Sequence, residues 1–127
     1  MFRGSIVPII TPFKNGAVDY ESLTKLINWQ IENGSHGISV TGTTGEPTSL
    51  TFDERQQVIK VAKEAVNKRV PFVPGTGSTN HAETIELSKY AQSIGADAIL
   101  VITPYYNRPS QQGLFLHFDA VAKSVDL

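Results

Sequence analysis

The sequence predicts an α/β fold in which four strands alternate with four helices. Four short apolar runs are each followed by a longer segment of helical period, and the runs begin 32, 33 and 28 residues apart. One strand-plus-helix unit needs about 30 residues. Because the runs are nearly continuously apolar rather than alternating, they are typical of parallel strands that are covered on both faces. The four runs are Ser5 to Ile10, Gly37 to Val40, Val70 to Val73 and Ala98 to Ile102.

The composition indicates one ordinary globular unit that spans residues 1–127. Hydrophobic residues make up 40% and charged residues 18% of the chain, both near the usual averages. A formal net charge of −1 argues against nucleic acid or an anionic membrane as a partner. The absence of cysteine excludes disulfide scaffolds, thiolate–zinc sites and cysteine nucleophiles. Since the chain also lacks a signal-peptide pattern and a long apolar run, we expect a soluble, cytoplasmic protein.

The first two helices are predicted from their capping residues. Asp19 can accept a hydrogen bond at the start of the first helix, and Gly34 can end it. Thr51 and Glu54 have the spacing of a capping box at the start of the second. Each helix carries an apolar stripe that we expect to face the core, formed by Leu23, Leu26, Ile27 and Ile31 in the first and by Val58, Val61, Ala62 and Ala65 in the second.

The last two helices are predicted in the same way. Asn80 is a suitable cap for the third, with Glu83 at the matching offset and Gly95 as a stop. Ser110 opens the fourth. The expected core stripes are Leu87, Tyr90, Ala91 and Ile94 in the third helix and Leu114, Phe118 and Val121 in the fourth.

Two architectures accept four alternating strands and helices. One is a flavodoxin-like doubly wound sheet, which normally has five strands. The other is a (β/α)8 barrel of about 250 residues, of which this sequence would form the first half. The alternation by itself does not choose between them.

The turn after the second apolar run is the strongest candidate binding site, because ligands bind at the carboxyl ends of parallel strands in either architecture. It reads Gly42-Thr43-Thr44-Gly45 and is followed by Glu46. Glycines permit positive φ angles and close approach, so successive N–H groups and two hydroxyls could hold a carboxylate or phosphate. A tight strand-to-helix connection explains the same residues equally well.

The other strand ends carry weaker candidates. For Gly75-Thr76-Gly77 a plain connecting loop is favoured over a ligand site. The phenols of Tyr105 and Tyr106 could donate, accept or relay a proton, and they could equally pack at a rim or interface. The three histidines, His36, His81 and His117, lack metal-ligand spacing, so hydrogen-bonded or solvated roles are favoured and no metal is expected.

Three motifs, in the same order along the chain, resemble the dihydrodipicolinate synthase family. They are the start Met1 to Val7 with Thr11-Pro12-Phe13, the turn Gly42 to Glu46, and the run Thr103 to Pro109. The Gly-x-x-Gly-Glu turn is shared with N-acetylneuraminate lyase and other pyruvate-dependent aldolases. The Tyr-Tyr-Asn-Arg-Pro part of the third motif is typical of the dihydrodipicolinate synthase branch.

This resemblance implies a (β/α)8 barrel that condenses pyruvate with aspartate semialdehyde in lysine biosynthesis. The family forms a Schiff base between a lysine and pyruvate and needs no cofactor. By resemblance, Thr44 binds the pyruvate carboxylate and Thr43 belongs to a hydroxyl proton relay. Tyr106 is the relay tyrosine contributed across a subunit interface, within a homodimer or homotetramer.

The resemblance also implies a regulatory pocket. Tyr105 and Glu83 match positions that line an allosteric lysine pocket in feedback-regulated members. Pro47, Phe52 and Arg55 stand where those members have serine and histidine residues, which argues against inhibition by lysine here.

The Schiff-base lysine of the family lies on the sixth strand, beyond these 127 residues. We therefore expect the chain by itself not to complete the reaction. The alternatives are an N-acetylneuraminate lyase-like aldolase and a non-catalytic half-barrel that serves as an interaction module. The seven lysines present are expected in helices or at their ends, apart from one in a polar loop: Lys25, Lys60, Lys63, Lys68, Lys89 and Lys123, and Lys14 in the loop.

Overall fold

A computed structural model describes residues 2–127 and confirms the α/β fold. Within those residues, four helices follow extended segments in the predicted order. None of the four is long and apolar enough to cross a lipid bilayer. The helices are α1 (Tyr20–Glu32), α2 (Phe52–Val66), α3 (His81–Ser93) and α4 (Gln111–Ser124), and the strands are β1 (Ile6–Pro8), β2 (Phe13–Lys14), β3 (Ala17–Val18) and β4 (Gly37–Ser39).

The predicted caps are confirmed for α1 and α2. The Asp19 carboxylate accepts a hydrogen bond from the Ser22 N–H at 3.0 Å. Thr51 and Glu54 exchange both bonds of a capping box, since the Thr51 N–H donates to Glu54 at 2.8 Å and the Glu54 N–H donates to the Thr51 hydroxyl at 3.2 Å. A capping box satisfies donors that the first turn leaves unpaired. These local contacts start α1 and α2 where the sequence predicts.

The caps of α3 and α4 are confirmed too, with one difference. The Asn80 side chain accepts from the Ala82 N–H, and the Ser110 hydroxyl accepts from the Gly113 N–H. Glu83 does not complete a box with the Asn80 backbone. Its carboxylate instead accepts from the Ser78 hydroxyl at 2.9 Å. A charged side chain near the start of α3 is thus turned toward the preceding strand end.

The helices bury the predicted stripes around a core on one side of the sheet. The central stripe residues of α1, α2 and α3 are fully buried, and those at the stripe margins are half-buried. In α4 only Val121 of the stripe is buried, and the main helix contact of α4 within residues 2–127 is with α3. The buried side chains of the stripes are Leu23, Ile27, Val58, Ala62, Leu87, Ala91 and Val121.

The third and fourth apolar runs form less regular strands than predicted. The run from Val70 to Val73 joins β4 through one bridge, between Ile38 and Phe72, and a second bridge links Gly75 to Leu100. Pro71 in the third run and Pro74 just after it have no N–H to donate, so a continuous ladder cannot form. Their carbonyls still accept, Pro71 from Ile38 and Pro74 from Leu100.

The four extended segments are neighbours in the order of the sequence. β1 pairs with β4 in parallel, β4 with the third segment, and the third with the fourth. In a flavodoxin-like sheet the third strand pairs with the first, whereas barrel strands pair in sequence order. The pairing therefore favours the barrel over the doubly wound sheet.

A small hairpin lies between β1 and α1 that the sequence analysis did not predict. β2 and β3 pair antiparallel, and Asn15 and Gly16 between them have φ angles of +53° and +81°. Asn-Gly is the preferred pair for a two-residue hairpin turn with positive φ at both positions. Lys14, expected in a polar loop, lies in β2 because of this hairpin.

Candidate functional site

A cleft of about 780 Å³ opens at the carboxyl ends of the second, third and fourth parallel segments. The strand-end turns form one wall, and residues from the starts of α2 and α3 form another. Carboxyl strand ends are the usual binding face of parallel α/β folds. The cleft is therefore the candidate functional site.

The turn after β4 presents unpaired donors to solvent. Thr43–Gly45 forms a single 3-10 turn in which Gly45 N–H donates to Gly42 at 2.9 Å. Both Thr43 and Thr44 are exposed, and within residues 2–127 no acceptor receives their N–H groups. Two amides and two hydroxyls are thus available to an anion. This agrees with the anion-binding interpretation of the turn.

Of the two reasons expected for the glycines of this turn, positive φ is absent. Gly42 has a φ of −77°, and the left-handed angles fall on Thr41 (+54°) and Glu46 (+51°) on either side. A Cβ on Gly42 would be 3.5 Å from its nearest neighbour, an ordinary contact. A Cβ on Gly45 would be 3.3 Å from the Ile9 carbonyl oxygen. Gly45 therefore lies close to the backbone of Ile9, the residue that follows β1.

A buried hydroxyl anchors the turn from the first strand end. Thr11 donates its hydroxyl to the carbonyl of Gly45 at 2.7 Å, and it is buried. Thr11 is not among the site residues predicted from the sequence. Its only signal was the position of Thr11 directly after the first apolar run.

The Gly75–Gly77 turn is a packed connection, as predicted. The Thr76 hydroxyl is buried and lies 2.9 Å from that of Ser88 in α3. A Cβ on Gly77 would lie 2.7 Å from the Ile102 nitrogen, and a Cβ on Gly75 would lie 2.7 Å from the Thr41 carbonyl carbon. Both glycines thus make room for neighbouring backbone.

Arg55 places a buried positive charge against the cleft. It is 5% exposed, and its Nη2 donates to the carbonyls of Gly77 at 2.9 Å and Gly75 at 3.3 Å. Burial lowers the pKa of the guanidinium, while Glu83 and Tyr105 act in the opposite direction. Its Nε is buried and has no partner within residues 2–127. From the sequence, Arg55 is only a departure from the family pattern, because arginine is ordinarily solvated and its position in a helix does not predict burial.

The structure gathers the predicted regulatory positions in this cleft. Glu83 and Tyr105 both line it, and so do Pro47, Phe52 and Arg55. Thr43 lines it from the turn side. Residues distant in the sequence are therefore neighbours here.

Two predicted site residues lie elsewhere. Thr44 is exposed on the same turn but is not part of the cleft lining. Tyr106 also lies outside the lining, is 92% exposed, and has a left-handed φ of +67°. The candidate residues thus fall into a cleft group of Thr43, Glu83 and Tyr105 and an outer pair of Thr44 and Tyr106.

The histidines have hydrogen-bonded roles, as favoured from the sequence. His36 accepts from the Ser5 N–H at 3.2 Å, and the Nδ1 atoms of His81 and His117 lie 2.9 Å apart across α3 and α4. Burial, with a smaller contribution from His81, lowers the pKa of His117. In the part of the chain that the structure describes, no three His, Asp or Glu side chains converge so that they could hold a metal ion.

Comparison with known sequences decides the family. A model of the dihydrodipicolinate synthetase family matches residues 1–127. The chain belongs to that family. The 4-hydroxy-tetrahydrodipicolinate synthase of Pelobacter propionicus is 53% identical over 127 residues, and that of Citrifermentans bemidjiense is 56% identical over the same length. Each alignment covers all of this chain and 44% of the relative, so the chain spans less than half the length of these members of the family.

Solved structures of the dihydrodipicolinate synthetase family have the same fold. The chloride-inhibited synthase of Acinetobacter baumannii, solved in complex with pyruvate, has a TM-score of 0.95 and 49% identity. That alignment covers all of this chain and 44% of the other. The synthase of Aquifex aeolicus has a TM-score of 0.96 at 48% identity, over 99% of this chain and 43% of its own. The predicted N-terminal half of a (β/α)8 barrel is thereby confirmed.

Proposed function

We propose that residues 1–127 form the pyruvate-binding part of a 4-hydroxy-tetrahydrodipicolinate synthase. That enzyme condenses pyruvate with aspartate semialdehyde on the route to lysine. The observation that carries the proposal is the exposed turn with unpaired amide and hydroxyl donors at a carboxyl strand end, in a chain of this family. A relative solved in complex with pyruvate supports the substrate. The enzyme would act in the cytoplasm.

Thr44 is assigned to the pyruvate carboxylate. Hydrogen bonds to a charged acceptor are roughly twice as strong as neutral ones, so an N–H and a hydroxyl on one residue suit a carboxylate. Thr43, its neighbour on the turn, is assigned to a hydroxyl proton relay. Tyr106 extends into solvent and is assigned to the same relay in a second subunit of a homodimer or homotetramer.

The reaction needs a lysine that the described residues do not place near the site. A lysine amine forms the imine with pyruvate, and the protonated imine serves as the electron sink, so the proposed chemistry requires no metal or further cofactor. None of the seven lysines lies in the turns that follow the second, third and fourth parallel segments. They lie in the helices, just after α2, or in β2. We therefore place the Schiff-base lysine outside residues 1–127.

Borohydride trapping tests this proposal. The protein that contains this sequence, expressed at its full length, is incubated with pyruvate and reduced, and its peptides are mapped by mass spectrometry. We expect one reduced pyruvyl adduct on a lysine outside residues 1–127. Absence of any adduct, or an adduct on one of the seven lysines within these residues, would contradict the proposal.

The assignment of Thr44 is tested by Thr44→Val. Removing the hydroxyl donor should raise the KM for pyruvate about tenfold and leave the KM for aspartate semialdehyde nearly unchanged. Thr48→Val is the matched control, because Thr48 is an exposed threonine in the next short 3-10 turn, Pro47–Ser49. Equal pyruvate KM values in the two variants would exclude the assigned role.

We further propose that the cleft corresponds to the family's effector pocket and does not respond to lysine. Glu83 and Tyr105 line it, but the buried Arg55 guanidinium brings a positive charge that disfavours a second cation. Lysine should not inhibit the full-length protein at concentrations that saturate regulated relatives. Arg55→His is the comparison variant, because it removes most of the fixed positive charge that Arg55 carries near pH 7. Inhibition of the unaltered protein by lysine would overturn this part of the proposal.

A further inference from the structure

The residue that precedes the exposed turn has a backbone conformation that its own side chain disfavours. Thr41 has a φ of +54° although it is β-branched, and it is only 2% exposed. A β-branched residue in the left-handed region is an outlier that costs free energy and persists only where its surroundings hold it. The contacts around Thr41 therefore have to supply that restraint.

The hydroxyl of Thr41 supplies one restraint by joining two strand ends. Its Oγ1 lies 2.8 Å from the carbonyl oxygen of Gly75 and 2.6 Å from that of Val40. A hydroxyl has one proton to donate, and only the bond to Gly75 crosses to the neighbouring segment. The backbone strengthens the same junction, since the Gly75 N–H donates to the Val40 carbonyl at 2.8 Å.

The shape of the neighbouring segment supplies a second restraint. A Cβ on Gly75 would lie 2.7 Å from the carbonyl carbon of Thr41 and 2.9 Å from the nitrogen of Gly42, closer than real side chains approach. The left-handed Thr41 therefore fits only because residue 75 has no side chain. The two residues form one junction.

This junction sets where the turn begins. Thr41 holds the entry to the turn, and the Thr11 hydroxyl holds its exit at Gly45. Thr43 and Thr44 lie between the two anchors and, within residues 2–127, make no hydrogen bond of their own to a strand end. Their direction is thus determined by the anchored residues on either side.

We infer that Thr41 is a positioning residue for pyruvate: its buried hydroxyl, held against Gly75, fixes the backbone direction that aims Thr43 and Thr44 at the substrate. This inference rests on the proposed function of the turn. Thr41 acts through its neighbours rather than through the reacting atoms, because its one proton is used inside the fold. A misplacement of about 1 Å can cost up to about a hundredfold in rate.

Steady-state kinetics of three variants in the full-length protein test the inference. Thr41→Val removes the hydroxyl and keeps the branched shape, and we expect the pyruvate KM to rise about tenfold or more, with the KM for aspartate semialdehyde within about twofold. Thr41→Ser keeps the hydroxyl and should restore the pyruvate KM. Thr76→Val is the matched control, since it removes another buried threonine hydroxyl one strand away and should lower stability without a selective change in pyruvate KM.

The outcomes separate a positioning role from a purely structural one. A pyruvate KM that rises no more in Thr41→Val than in Thr76→Val, or that is not restored in Thr41→Ser, would overturn the inference. If Thr41→Val does not fold, Thr41→Ala removes the same hydroxyl without placing a methyl group in its space, and the same comparison applies. The result for Thr44→Val is independent: an unchanged pyruvate KM there rejects the role of the turn in binding pyruvate, whereas a raised KM there with an unchanged KM in Thr41→Val rejects only the role of Thr41.

Discussion

The turns that follow the second and third parallel segments have nearly the same composition and opposite surroundings. Both place threonine between glycines at the carboxyl end of a strand. In Gly42–Gly45 the threonines are exposed and their amides are unpaired within residues 2–127. In Gly75–Gly77 the threonine hydroxyl is buried and hydrogen-bonded to Ser88, and both glycines lie against the backbone of adjacent segments.

The difference teaches that a glycine–threonine turn has no function by itself. β4 and the third segment both lie between two neighbouring strands, so strand position does not explain the difference. The turn after the third segment is packed by the Ser88 hydroxyl and by the backbone of Thr41 and Ile102. The turn after β4 instead projects as a short 3-10 turn held by Thr11 and Thr41 at its ends. One turn is built to pack and the other to present donors.

The largest expected difference in stability is between variants of the glycines in the two turns. Gly75→Ala should lower the free energy of unfolding by about 3 kcal/mol or more, because its Cβ would overlap the Thr41 backbone and backbone cannot move aside as a side chain can. Gly42→Ala should cost less than about 1 kcal/mol, since its Cβ makes an ordinary contact at a negative φ. Urea denaturation of both variants measures the difference. Similar losses in the two would mean that the turns are not packed differently.

A smaller difference in stability is expected between variants of the threonines in the two turns. Thr76→Val removes a buried hydroxyl that bonds Ser88, and should cost about 1 kcal/mol of stability. Ser88 keeps its own bond to the Thr84 carbonyl at 2.6 Å, so the variant leaves no unpaired donor on Ser88. Thr43→Val, at an exposed position, should change stability by no more than about 0.5 kcal/mol. A loss of stability in Thr43→Val equal to that in Thr76→Val would contradict the contrast.

The smallest expected effect is on the pH dependence of stability. It arises outside both turns and therefore serves as a control for the turn variants. Neither turn contains an ionisable side chain. His117, between α3 and α4, has a folded pKa below its ordinary value because it is buried and faces His81. As the pH falls, the His117 side chain therefore takes up a proton in the unfolded chain before it does so in the folded chain. The stability that neutral His117 contributes is present above about pH 6.5 and is lost as the pH falls below that value.

His117→Gln should flatten that part of the pH profile. Unfolding free energies measured between about pH 7.5 and 5 should decline less steeply in the variant than in the unaltered chain. Gly42→Ala and Thr43→Val should keep the original slope. An unchanged slope in His117→Gln would show that other groups account for the acid sensitivity.

The helices could be predicted because their signals are local. Asp19, Thr51, Asn80 and Ser110 cap the first turn of their own helices, so spacing along the chain is enough to find them. The Asn15-Gly16 hairpin has an equally local signal, but it was not predicted because each of its flanking strands is only 2 residues long.

The site could be predicted only in part. The exposed donors of Thr43 and Thr44 follow from a hydroxyl-rich strand end, and the family motifs predict their roles. The buried Arg55, the strained Thr41 and the pairing of His81 with His117 have no local signal. Each depends on residues at least 20 positions away, which only packing brings together.

The sequence by itself determined the alternation of strands and helices, the four caps, the family motifs and the absence of thiol chemistry. These follow from residue types and short spacings. Only the tertiary structure showed the pairing order of the strands, which agrees with the barrel that the family motifs imply. It also decided which of two similar turns is covered. The physical reason is that burial and hydrogen-bond partners at a strand end are set by the neighbouring strands, which lie about 30 residues away along the chain.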